Sequence, residues 1–280
     1  MPTPPRANVV ALPGADLPGL GMAATAFTGS RVTGSRNEIW LCPAYDNHGQ
    51  PLMLYVKLGL PARAMLVEAL CAQLASAMRL DAPEPYLVHV NPVHVGRGRG
   101  AKVLAFGSLD VSERSMAKPI RSLDVVLEAL ERLKIADLAA CFDEWIANDV
   151  RSPSDILVSP ESHLYLIDHE AAMDGATRSD AAVTNWLAAR IIERTPAVER
   201  PVLLRNLRGR LAALHRIRLS PVPLAVQYCQ DGALLYGTLL AFLTDRLTHL
   251  DRLLSTRVMP EQGYLSPTEP TTAETLNVSR

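Results

Sequence analysis

The sequence predicts an α+β fold in two lobes: a small, mostly β N-terminal lobe with one helix, and a larger, mostly helical C-terminal lobe that contains a β-hairpin. Three observations lead to this prediction. Short strand-like runs separated by Gly, Pro and Asn turn clusters dominate up to about residue 108. Apolar residues at helical spacing dominate from Ser122 onward. A hairpin pattern over residues 156–167 interrupts the helices. Strands and helices that segregate along the chain are typical of α+β proteins.

Composition describes a globular protein and excludes several function classes. The chain has 280 residues, of which 48% are hydrophobic and 20% charged, so it can bury a proper core. A net charge of −1 favours neither nucleic acid nor an anionic membrane surface as a partner. The four cysteines lack metal-ligand spacing, which favours buried thiols in a reducing compartment. No export signal is evident near the N-terminus, and the longest apolar run, Ala233–Leu243, is too short to cross a bilayer. We therefore expect a cytoplasmic protein without a membrane partner.

The N-terminal lobe is expected over residues 22–108, after a flexible arm over 1–21. The helix in this lobe is indicated by an apolar stripe at helical spacing, and its end by the prolines at 83 and 85. The predicted elements are strands over 37–43, 51–58, 86–90 and 102–106, and a helix over 63–79.

The C-terminal lobe is expected over residues 109–256, before a mobile tail over 257–280. Ser122 is a predicted N-cap, because a serine hydroxyl can accept from the free N–H groups of a first helical turn. The predicted helices cover 123–133, 135–147, 180–193, 201–218 and 232–254.

The segment Phe142–Glu170 carries the strongest local pattern. It reads as a helix end, a polar loop, and two strands over 156–158 and 164–167 that are joined by a turn containing Pro160. Asp155 precedes the first strand and Asp168 follows the second, so antiparallel pairing brings the two carboxylates together. Paired carboxylates suit a hard cation such as Mg²⁺. The alternative is a surface hairpin whose aspartates only cap turns.

The same segment resembles the catalytic loop of HipA-like kinases, which belong to the protein-kinase-like superfamily. That family pattern is roughly Asn-x-Asp-Arg-His-x-x-Asn-Leu-Leu, then a hairpin, then Ile-Asp-His. Asn148 and Arg151 match the first Asn and the Arg, and Asp168 matches the metal-binding Asp. The catalytic-base Asp falls on Val150 and the metal-binding Asn on Asp155. The resemblance covers roughly residues 24–190 and implies a two-lobed kinase-like fold that uses ATP and Mg²⁺, with Asp155 and Asp168 as metal ligands.

Lys57 and Glu68 form a second candidate pair. Lys57 ends an apolar strand, and Glu68 lies eleven residues later in the predicted helix. In protein kinases a strand lysine contacts the nucleotide phosphates and pairs with a glutamate of the next helix. The alternative is an ordinary strand-end lysine and an exposed helix glutamate.

The other expected nucleotide contacts rest on weaker patterns. The segment over 28–35 contains Gly29 and Gly34 and several hydroxyl side chains, and it could offer backbone N–H groups to phosphate. The basic loop over 96–100 is another candidate for covering the phosphates; the alternative is a plain hairpin connection. The resemblance implies that Phe106 and Gly107 lie at the hinge beside the adenine.

The catalytic residues expected are Asp149, Arg151 and Asp155, at a site whose base position holds Val150. Asp149 is a possible substitute base, or only a turn aspartate. Arg151 can contact phosphate or pair with Asp143 or Glu144. A general base contributes about 10²–10⁴-fold to a rate, so valine at this position predicts a slow enzyme.

The leading hypothesis is a slow ATP- and Mg²⁺-dependent kinase that acts on a protein Ser or Thr hydroxyl. The family also implies a possible toxin–antitoxin-type protein partner. Three alternatives stay open: a pseudokinase that senses nucleotide or binds protein, a nucleotidyl transferase, and a structural helical protein that does not bind ATP.

Overall fold

A computed structural model describes residues 16–111, 118–119, 122–158, 163–219 and 222–260. Most of the predicted arm (1–21) and tail (257–280) lies outside these residues. No helix within the described ranges is long and apolar enough to span a membrane.

The N-terminal part is a β-barrel. Its strands are β1 (Gly21–Thr25), β2 (Ser30–Val32), β3 (Glu38–Asp46), β4 (Pro51–Leu58), β5 (Pro85–Val90) and β6 (Val103–Leu109). The order β1-β5-β6-β4-β3 closes on itself because β1 pairs with both β5 and β3. The short strand β2 pairs with residues 39–41 of β3, next to the stretch that pairs with β1. The pairing of β1 with β5 is parallel, and the other pairings are antiparallel. The sequence predicted four of these strands, but neither β1, β2 nor the closure.

Strand β4 shows how the barrel aims Lys57. Successive side chains of a strand point to opposite faces, and Leu54, Val56 and Leu58 are buried in the barrel interior. Lys57 lies between two of them and therefore projects from the other face. That face is where helix α1 (Ala62–Ala77) packs after a short turn.

Helix α1 is buried on nearly all sides rather than along one stripe. Twelve of its 16 residues are buried, including the polar Glu68 and Gln73. It contacts β5 and β6 on one side and the helix Gly232–Val258 on another. Its apolar residues thus belong to the large core of the helical part, while the barrel interior forms a separate cluster.

The described residues of the C-terminal part form the α-helices α2 (Leu123–Arg132), α3 (Ala136–Trp145), α4 (Trp186–Arg194), α5 (Arg200–Leu214) and α6 (Gly232–Val258). The predicted hairpin is present as β8 (Ile156–Val158) and β9 (Leu164–Leu166), with β7 (Lys118–Pro119) paired to β8. Residues 159–162 of its turn lie outside the described ranges.

The helix predicted from residue 180 begins only at Trp186. Arg246 of the buried face of α6 donates to the carbonyl oxygens of Ser179 and Ala181, at 3.0 and 2.8 Å. These bonds hold the preceding residues in an irregular conformation. The Asn185 side chain then accepts from the Ala188 N–H at 3.0 Å and caps the helix. The sequence prediction was wrong here because the restraint comes from a distant helix.

Candidate active site

Lys57 lies at the centre of a cluster of three carboxylates. Its Nζ contacts Glu68 Oε1, lies 2.6 Å from Asp168 Oδ1, and lies 3.2 Å from Glu170 Oε2. Carboxylate oxygens of the three acids lie within 4.8 Å of one another. Lys57 and Asp168 are 111 residues apart in the chain, so the fold brings together the predicted lysine and the predicted metal-binding acid.

Glu68 anchors Lys57 from inside the protein. Its side chain is only 2% exposed, which excludes the alternative of a solvent-exposed helix glutamate. Its Oε2 accepts from the backbone N–H of His169 at 2.9 Å. Burial by itself raises the pKa of Glu68, but the charge of Lys57 and the bond to His169 outweigh it and lower that pKa to about 2. Burial likewise opposes the charge on Lys57, but Glu68 and Asp168 together raise the Lys57 pKa. The pair is therefore ionised at neutral pH.

This pairing predicts a pH dependence of stability. The folded-state pKa of Glu68 is lowered from 4.5 to about 2, so its stabilisation is present above pH 4.5 and is lost as pH falls toward 2. By linkage the contribution is about 3 kcal/mol. We expect Glu68→Gln to remove this part of the pH dependence in urea unfolding measured from pH 7 down to about pH 2. An unchanged slope would contradict the ion pair, and Glu128→Gln, at an exposed position of α2, is the control.

The hairpin presents Asp168 to Lys57 through a strained turn. The Ile167 N–H donates to the Asp155 carbonyl oxygen at 2.9 Å, which extends the β8–β9 ladder to the residue before Asp168. Asp168 then adopts a φ of +61°. Aspartate tolerates this left-handed conformation better than most residues do. Its side chain is 43% exposed, so it remains accessible to a ligand.

Asp155 caps a turn, as the alternative interpretation expected, and its pKa is affected by the charge of Asp168. Its Oδ2 accepts from the Ser152 N–H at 2.7 Å in a capping box. Partial burial raises the pKa of Asp155, the bonds to Ser152 lower it, and the charge of Asp168 raises it further, so the net shift is upward. The close acidic group contains Glu68, Asp168 and Glu170, whereas the predicted metal pair was Asp155 with Asp168.

Arg151 is buried against Asp143, which is one of the alternatives considered for it. Its Nη2 lies 2.8 Å from Asp143 Oδ1, and its Nη1 donates to the Ile167 carbonyl oxygen at 2.9 Å. Both side chains are at most 2% exposed. This placement differs from the expected catalytic role, because the guanidinium is engaged within the protein and acts on Asp168 only through the backbone of Ile167.

The residue at the base position and the residue before it both face solvent. Asp149 is exposed, and Val150 is 56% exposed. The Val150 N–H donates to Asn148 Oδ1 at 3.4 Å, and the Asn148 N–H donates to the Asp143 carbonyl oxygen of α3 at 2.9 Å, so the loop is tied to α3. A valine side chain can neither accept a proton nor orient a hydroxyl group.

The four residues expected around the nucleotide lie in different settings. A Cβ at Gly29 would come within 2.6 Å of Cys42 Sγ, so Gly29 permits close packing against β3. Gly34 has φ +87° and open space around it. Gly34 is thus the open glycine of the predicted phosphate segment.

The two expected hinge residues lie on β6. Phe106 pairs with Lys57 across β4 and β6, and Gly107 is its neighbour on β6. A Cβ at Gly107 would come within 2.5 Å of Val88.

Two residues of the site were missed by the sequence interpretation. Glu170 contacts Lys57, and Asn37 donates through Nδ2 to both carboxylate oxygens of Glu170, at 2.7 and 2.8 Å. The only sequence signal was an acid two residues after Asp168. Nothing local pairs Asn37 with a residue 133 positions away.

Comparison with known proteins identifies the family of this chain. A family model described as HipA-like kinase matches residues 29–212, well over half of the chain. The chain belongs to the HipA-like kinase family. This confirms the resemblance predicted from the segment around Asp168. The crystal structure of the Helicobacter pylori proinflammatory kinase CtkA is similar in fold, with a TM-score of 0.50 at 9% identity, over 87% of this chain and 99% of that chain. No curated protein matches the sequence.

The HipA-like kinase fold described here is mixed α+β, with the Lys57 cluster between the barrel and the hairpin. A family membership of this kind supports a kinase-like activity in general terms. The carboxylates of Asp168 and Asp155 are oxygen donors of the class that Mg²⁺ prefers, and the Lys57 ammonium is a phosphate-binding group. The donor set therefore fits a metal–triphosphate ligand.

Proposed function

We propose that this HipA-like kinase binds ATP with Mg²⁺ and slowly transfers the γ-phosphoryl group to a Ser or Thr hydroxyl of a protein. The observation that carries the proposal is the contact of Lys57 with Glu68 and Asp168. It joins an ammonium held by a buried acid to an exposed acid at the end of the hairpin. In this view residues 22–108 form the nucleotide-covering lobe and residues 109–256 the catalytic lobe.

Each residue has a physical role in this proposal. Lys57 binds the nucleotide phosphates, and Glu68 holds it at the right distance. Asp168, with Asp155 beside it, would hold Mg²⁺, which neutralises phosphate charge when bound. Arg151 and Asp143 position Ile167 and so the turn at Asp168. Gly34 and its neighbours would cover the phosphates, and Phe106 and Gly107 would lie beside the adenine.

The transfer step itself demands little covalent chemistry from the protein. The acceptor oxygen forms a bond to the γ-phosphorus while the bond to the bridging oxygen of ADP breaks, and the hydroxyl proton passes to a base or to solvent. Val150 offers no base, so positioning and charge neutralisation supply most of the rate. The expected enzyme is slow for this reason.

Autophosphorylation and transfer to a generic acceptor protein test the proposal. Purified protein is incubated with ATP and Mg²⁺, and the products are analysed by mass spectrometry, with Asp168→Asn as the blank. We expect a phosphate adduct on Ser or Thr that is absent from the blank. Adenylate adducts would instead support nucleotidyl transfer and overturn the proposed reaction. Complete absence of adducts would support a pseudokinase instead.

The exposed Val150 favours a second candidate, a pseudokinase that binds nucleotide or a protein partner without turnover. Its signature is an ATP-dependent rise in melting temperature, larger with Mg²⁺, without any product. A toxin–antitoxin-type partner stays a prediction from the family. A structural protein would show no ATP-dependent shift at all.

A further inference from the structure

The Lys57 ammonium has one carboxylate partner for each of its N–H donors. A lysine Nζ carries three N–H donors, and this one contacts three carboxylates, those of Glu68, Asp168 and Glu170. Lys57 can therefore bind a phosphate oxygen only if one of these acids yields its place.

Glu170 makes the longest of the three contacts to Lys57, at 3.2 Å. Glu68 is buried and is also held by the His169 N–H. Asp168 makes the shorter of the other two contacts, 2.6 Å against 3.2 Å for Glu170, and it has the proposed metal role. The Glu170 side chain is 26% exposed, so its carboxylate can leave Lys57 and be solvated by water.

Glu170 also connects the two sides of the site. It accepts from Asn37 through both oxygens, at 2.7 and 2.8 Å. Asn37 immediately precedes β3 and follows the segment over 28–35 that is predicted to cover the phosphates. One carboxylate thus links the base of that segment to Lys57.

We propose that Glu170 is a positioning residue that competes with the triphosphate: its carboxylate contacts Lys57, holds Asn37, and is displaced from Lys57 when the triphosphate binds. A carboxylate and a phosphate oxygen are both anionic acceptors for an ammonium group. The two repel each other at close range, so they compete for the same donor. This inference rests on the proposed function, because it assumes that Lys57 binds phosphate.

Glu170→Gln tests the competition. Glutamine keeps the length of the side chain and an acceptor for Asn37, but it removes the negative charge. We expect ATP with Mg²⁺ to bind about tenfold more tightly in calorimetric titration, the scale of the difference between a charged and a neutral hydrogen bond. Glu38→Gln is the matched control, since Glu38 is adjacent to Asn37 and 32% exposed but pairs with Arg97. Its affinity for ATP should equal that of the wild type.

The outcomes separate this inference from the proposed function. If the wild type binds ATP and Glu170→Gln binds no more tightly, the competition is overturned and the proposed function stands. If neither protein binds ATP, both are overturned. A purely structural Glu170 would show a loss of affinity on substitution rather than a gain.

Hydrogen exchange without nucleotide gives a second, ligand-free readout. Glu170→Ala should release Asn37 and raise amide exchange over residues 30–39, whereas Glu38→Ala should leave the Asn37–Glu170 contact in place. Equal exchange in Glu170→Ala and the wild type would overturn the link between Glu170 and the covering segment.

Discussion

Replacing Val150 with aspartate is expected to raise the rate of phosphoryl transfer by about 10²- to 10⁴-fold, the contribution typical of a general base. The position matches the catalytic base in the family pattern and is 56% exposed, so an acid can be introduced without burying its charge. The rate is measured as ATP-dependent phosphate incorporation under single-turnover conditions. The wild-type protein, on this account, has every other part of the site in place.

Two control variants make the Val150→Asp result interpretable. Val150→Asn adds polarity and hydrogen bonding without a proton acceptor, and it should give much less than the aspartate. Asp149→Asn should leave the Val150→Asp rate intact, because Asp149 is exposed and one position away from the base site. A gain of equal size with asparagine would refute general-base catalysis. No gain with aspartate would mean that more than the base is missing and would favour the pseudokinase.

Replacing Arg151 with methionine is expected to lower the free energy of unfolding by about 3–5 kcal/mol. The substitution leaves the Asp143 carboxylate buried without its cation, and it removes the bond to the Ile167 carbonyl oxygen that supports the turn at Asp168. Urea unfolding monitored by tryptophan fluorescence measures the change. Replacing both partners, with Asp143→Leu and Arg151→Met together, should recover part of the loss, since the double variant buries no unpaired charge.

An exposed arginine pair provides the comparison for this stability effect. Arg178 pairs with Asp180 at 2.7 Å on the surface, and Arg178→Met should produce no measurable change in unfolding, because exposed ion pairs contribute little. A loss at Arg151 that is no larger than the loss at Arg178 would contradict the assignment of the Arg151–Asp143 pair as a buried support of the site.

Sequence patterns predicted the parts of the fold that depend on local signals. The β3–β4 and β8–β9 hairpins follow from apolar runs flanked by turn residues, and Lys57 and Glu68 follow from a strand that leads into a helix. The closure of the barrel could not be predicted, because it depends on the pairing of β1 with both β3 and β5. Pairing between distant strands leaves no periodic signal in either strand.

The site was predicted where a motif existed and missed where contacts are long-range. Asp168 could be named because it follows the hairpin in a family pattern. Glu170 could not, since its role depends on Lys57 and on Asn37, both on the barrel. Arg151 had two compatible roles in the sequence, and only its burial beside Asp143 distinguishes them. A residue type shows what chemistry is available, whereas the fold decides which partner it meets.

Titration of ATP into the wild-type protein and Asp168→Asn, each with and without Mg²⁺, tests most directly whether Lys57 and Asp168 converge on one metal–triphosphate site. The account predicts saturable binding by the wild type that tightens when Mg²⁺ is present. It also predicts that Asp168→Asn loses this dependence on Mg²⁺ while keeping its fold by circular dichroism. Equal Mg²⁺ dependence in the two proteins, or no ATP binding by the wild type, would contradict it.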